Sequence, residues 1–71
     1  MVSERLKDLR KERGITQKRV AEETGIIERQ YQNYEYGKIK PSHDALIALA
    51  DFFNVSIDYL VGRTDKPGVN R

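Results

Sequence analysis

The fold is decided by Thr16–Lys38, TQKRVAEETGIIERQYQNYEYGK. Thr16 suits a helix N-cap, because its hydroxyl can accept from the orphan N–H groups of a first turn. Ile15 before it and Val20 after it can pack as a hydrophobic staple that sets the angle of approach. Arg19 stands where a capping box needs Glu or Gln, so that reciprocal bond is missing. Gly25 follows the last periodic residue and suits the left-handed position that ends a helix. A second helix begins almost at once, and so short a link makes the two cross steeply.

The second helix sorts its residues by face. Tyr31 and Tyr34, with Ile26 and Ile27 just before them, compose an inner side. Glu28, Arg29, Gln32 and Asn33 are related by i,i+4 steps and share the outer side. A solvated polar face is the ordinary explanation of such a strip. Arg, however, matches the guanine edge, and Gln and Asn match adenine. The tight turn and the clustered amides therefore point to a helix-turn-helix whose second helix reads base edges, with its N-terminal residues toward the bases.

Three runs carry a wider likeness: RLKDLRKERGITQKRVAEETG, YQNYEYGKIKPS and LIALADFFNVSIDYLVG. Together they cover nearly everything from Glu4 to Gly62. In order and spacing they resemble the helix-turn-helix family of lambdoid-phage repressors and Cro. The resemblance implies an all-α, five-helix DNA-binding domain over residues 1–62, in a bacterial or phage-encoded regulator of the cytoplasm and nucleoid. It implies an ion pair between Arg10 and Glu35, joining the first helix to the third. It also implies phosphate contacts from Gln17 and from the loop Tyr36–Pro41. Two positions depart from the family pattern. Ile27 stands where a Ser or Thr cap is usual; it cannot accept a hydrogen bond, but it can touch a thymine methyl. Glu28 follows, where a neutral or basic residue is more frequent; it can accept from cytosine N4 or pair with Arg29. The candidate base contacts are thus Ile27, Glu28, Arg29, Gln32 and Asn33. The candidate phosphate contacts are Gln17, Lys18, Tyr36, Lys38 and Lys40.

The flanking sequence reads as scaffold. Ser3 can cap a first helix running to about Arg13, with Val2, Leu6 and Leu9 as its apolar stripe and Gly14 as its end. Lys7 and Lys11 belong to a solvated face. Gly37 is the expected stop of the recognition helix, and Pro41 blocks further helix. Ser42 caps a fourth helix in which Leu46, Leu49, Ala50 and Phe53 recur at helical spacing, ended by Asn54. Val55, Ser56 and Leu60 repeat the staple and cap for a short fifth helix, Ser56–Val61, stopped by Gly62. Its apolar residues exceed one buried face, which makes Val55, Ile57, Tyr59 and Val61 a candidate homodimer surface. Arg63–Arg71 reads as a flexible tail, with no room for a further domain.

Composition narrows the function. Seventy-one residues allow a single small core, and zero cysteines remove disulfides and thiolate zinc sites. The net charge of +2 is unevenly spread: residues 1–19 hold seven Lys or Arg against three acids, residues 20–35 one against four, and residues 36–43 two against none. No apolar run approaches the length of a bilayer span, and the charged N-terminus does not read as a signal peptide. His43 beside Ser42 and Asp44 cannot form a triad, because adjacent helical residues point apart. With no phosphate loop, carboxylate pair or ligand cluster, an enzyme, a metal and a cofactor are not expected. The alternative to DNA is a protein-binding module of the same fold, fitting an antitoxin or an antirepressor-like partner. Glu28, Glu22 and Glu23 favour it.

Overall fold

A computed structural model describes residues 2–68. Among them the chain forms α1 (Val2–Arg13), α2 (Gln17–Thr24), α3 (Glu28–Glu35), α4 (His43–Phe53) and α5 (Ile57–Leu60), and no strand. Local chemistry sets most boundaries. The Thr16 hydroxyl accepts from Arg19 N, Ser42 from Ala45 N and Ser56 from Tyr59 N. Each bond satisfies one of the donors a first turn leaves free. Ser3 does not cap α1: the helix already includes Val2, so Ser3 lies within its first turn.

The helix ends are closed just as locally. Gly37 N donates to Tyr34 O and Lys38 N to Asn33 O, the paired bonds that terminate a helix through a left-handed residue. The same pairing recurs at Gly14, at Asn54 and at Gly62. Asn54 is the one non-glycine with positive φ among the described residues, at 56°, a conformation asparagine tolerates better than most. Gly25, at φ 76°, uses the simpler single bond to Ala21 O before the short link to α3.

The core is the sum of the inward faces: Leu6 and Leu9 of α1, Val20 of α2, Tyr31 and Tyr34 of α3, Leu49, Ala50 and Phe53 of α4, and Leu60 of α5. α3 packs against both α1 and α2, while α4 meets α2 and α5. α3 thus rests on two helices at once.

Two arginines extend this scaffold. Arg13, near the end of α1, donates to Phe52 O at 3.1 Å and to Phe53 O at 2.7 Å. A cation there meets the free carbonyls and the negative end of α4. Arg5 lies 4.0 Å from the centre of the Tyr59 ring and 3.0 Å from the Asp65 carboxylate. Ser56 N also donates to Pro67 O. Of the segment expected as a flexible tail, the part up to Gly68 therefore touches α1 and the start of α5; residues 69–71 lie outside the described residues.

Candidate nucleic-acid interface

α3 is held by a buried polar cluster. Glu35, in its last turn, is only 2% exposed. It accepts from Arg10 Nε at 2.6 Å, from Arg10 Nη2 at 3.1 Å and from Gln17 Nε2 at 3.1 Å. The Arg10–Glu35 ion pair is therefore present, bidentate, and reinforced by α2. Arg10 Nη1 also donates to Ile15 O, so one guanidinium braces α1, the link before α2, and α3. Burial pushes the Glu35 carboxyl up, but the hydrogen bonds around it, led by Arg10, outweigh burial and hold it below the usual carboxylate value. Burial, then the neighbouring carboxylate, pushes the Tyr31 phenol far above its ordinary range. The Tyr31 hydroxyl is enclosed without a well-formed hydrogen bond.

Gln17 belongs to this cluster. Its side-chain amide is engaged with Glu35, so it anchors α3 from the first turn of α2 as well as standing near the surface. No local pattern in the sequence links positions 17 and 35.

The opposite side of α3 is open. Tyr31 and Tyr34 are buried, whereas Ile27, Glu28 and Arg29 are exposed, and Gln32 and Asn33 are half-buried. Ile27 departs from the inner side expected of it. It sits at the N-cap with extended backbone and is 76% exposed, while Ile26 packs on the core. No side chain caps α3. Beyond its C-terminus, Tyr36, Lys38 and Lys40 are exposed, with the Lys38 ammonium 5.9 Å from the centre of the Tyr36 ring. Lys18 is exposed in the first turn of α2. His43 is exposed at the start of α4. The start of α2 and a cationic loop therefore adjoin an amide-bearing helix, an arrangement suited to a polyanion carrying hydrogen-bonding edges.

The four residues expected at a homodimer surface are separated. Val55 is 5% exposed and belongs to the protomer's own core, so it cannot supply an interface. It is buried because Val55 N bonds back to Ala50 O, which folds the side chain against the end of α4. Tyr59 lies beneath Arg5. Val61 lines an apolar groove of about 500 Å3 with Val2, Tyr34, Ile39, Pro41 and Leu46. Ile57 is half-buried. Among the described residues no group of three or more His, Cys, Asp or Glu side chains could hold a metal, and no helix is long and apolar enough to cross a membrane.

A fold of this kind, with an exposed third helix on a braced pair, defines a helix-turn-helix domain. A family model described as helix-turn-helix matches residues 6–60, and the chain belongs to that family. The uncharacterized HTH-type transcriptional regulator YobD of Bacillus subtilis (strain 168) is 42% identical over 94% of this chain and 60% of its own length. The HTH-type transcriptional regulator ImmR of the same organism is 39% identical over 90% of this chain and 50% of its own. The cryptic phage CTXphi transcriptional repressor RstR of Vibrio cholerae is 40% identical over 87% of this chain and 55% of its own. The chain thus spans about half to three-fifths of these curated relatives.

Proposed function

We propose that this chain binds double-stranded DNA in a sequence-specific way and acts as a transcriptional regulator, as a repressor, with α3 in the major groove. The carrying observation is the division of α3: its tyrosines are buried and its Glu35 is pinned, while its first turn stands free at one end and an acid-free loop bearing Lys38 and Lys40 follows the other. Arg29, Gln32 and Asn33 serve as base readers, with Glu28 at the rim. Lys18, Lys38, Lys40 and Tyr36 contact phosphate, and Gln17 does so from its anchored position. The relatives' description as transcriptional regulators, one of them a phage repressor, supports this reading.

The working form is a homodimer on a two-fold related operator, with half-sites about one helical turn apart, ~34–36 Å. The groove lined by Val61, Leu46 and Ile39 is the apolar surface offered to the second copy. The test is duplex binding across a salt series. Phosphate contacts give a linear fall of log affinity with log salt, at roughly 0.9 per neutralised phosphate. A chain that serves as a protein-binding module shows no such slope and selects no site from a random pool.

A further inference from the structure

Adjacent isoleucines at the start of α3 have opposite fates. Extended backbone at Ile27, φ −61° and ψ 134°, sends neighbouring side chains to opposite sides. Ile26 packs on the core, whereas Ile27 projects outward and is 76% exposed, the most exposed of the large apolar residues among those described. The fold draws nothing from that side chain. It is not buried, and at an N-cap it supplies no acceptor, although Thr16, Ser42 and Ser56 supply one at three other helix starts. Its neighbours on the free side are Glu28 and Arg29, both exposed.

The edges of base pairs in the major groove present donors and acceptors almost throughout. The 5-methyl group of thymine is the apolar exception, and 5-methylcytosine carries the same group in the same place. An isoleucine set against any other edge would desolvate polar atoms without pairing them. We infer that Ile27 is a specificity-determining residue that packs on the 5-methyl group of a pyrimidine in each half-site, so that binding responds to the presence of that methyl. This rests on the DNA-binding reading and adds to it the chemical feature recognised at one position.

The experiment begins with sites selected from a random duplex pool by the full chain. Each thymine of the selected site is then replaced singly by deoxyuridine, and each cytosine singly by 5-methylcytosine. Affinities are measured for the unaltered chain and for Ile27→Ala. Thermal melting of Ile27→Ala checks that the exposed substitution leaves the fold intact. With thymine as the source, one position per half-site loses affinity on removal of the methyl, by about fourfold, the equivalent of one buried methyl-sized group. With methylcytosine as the source, one position gains a similar factor on methylation. In either case Ile27→Ala abolishes the sensitivity at that position alone. A selected site whose affinity ignores every methyl change, or whose sensitivity persists in Ile27→Ala, overturns this inference and leaves DNA binding standing. Failure to select any site overturns both.

Discussion

At the scale of single residues, Glu35 decides most. A carboxylate 2% exposed is tolerable only while Arg10 faces it. Arg10→Ala should cost about 3–5 kcal/mol, since it leaves a buried charge unpaired. A domain of this length has a total stability of only about 4–11 kcal/mol, so urea titration should show the unfolding midpoint lowered by about a quarter or more. Replacing both partners together, Arg10→Met with Glu35→Leu, should recover most of that loss, because the attraction mainly offsets desolvation. The pair also fixes an acid limit. The folded-state pKa of Glu35 is depressed, so the unfolded chain binds its proton first as pH falls. The contribution is fully present above the ordinary carboxylate value of 4.5 and disappears as pH drops through the lower, folded value. Melting followed from neutral to acidic pH should show this loss in the unaltered chain and not in the double variant. The partners of Glu35 were unequally legible. Arg10 is suggested by likeness to a known family; Gln17 is not, because its engagement depends on how α2 crosses α3.

At the scale of helices, starts and stops were written locally. Thr16, Ser42 and Ser56 cap the next element by bonds spanning three residues, so the sequence alone suffices to place them. Gly25, Gly37 and Asn54 end helices for an equally local reason. Ser3 misled because the chain upstream of it is already helical at Val2. The contacts of Arg13 and Arg5 were not readable, since a flexible cation finds its partner 39 to 60 residues away by tertiary geometry. Arg13→Ala should cost about 1–2 kcal/mol by freeing the carbonyls of Phe52 and Phe53, measured as a fall in the urea midpoint. α3 offers the reverse case. It has no side-chain cap, so Ile27→Ser should raise stability by about 0.5–1 kcal/mol while weakening binding to the selected site. A variant that melts higher and binds less would place stability and recognition in opposition at one residue. A variant that melts lower would mean that the N-cap backbone cannot present the hydroxyl to the first turn.

At the scale of the molecule, the affinity of one short helix must be multiplied to find a site among many. Phosphate neutralisation supplies the general term: Lys38→Ala and Lys40→Ala should each reduce the salt slope by about 1 without altering the preferred sequence, whereas Arg29→Ala should relax preference at one position. In the proposed homodimer the second multiplier is the second copy. The fifth helix carries apolar residues that the sequence shows only as an excess, without direction. In the fold Val55 turns inward, Tyr59 is covered by Arg5, and Val61 opens onto the groove beside Leu46 and Ile39. That groove begins at the loop holding Lys40, so a partner seated there would fix the spacing between two cationic loops as well as two recognition helices. Val61→Asp or Val61→Lys should therefore leave the monomer folded, since Val61 is only half-buried, yet abolish cooperative occupation of a two-fold site. Sedimentation with one half-site and with two spaced half-sites separates the terms. The unaltered chain should bind the paired site far more tightly than the single one, and the charged variants should bind both with the same affinity per half-site. Equal affinity for the two duplexes in the unaltered chain would show that the groove does not join two copies on DNA.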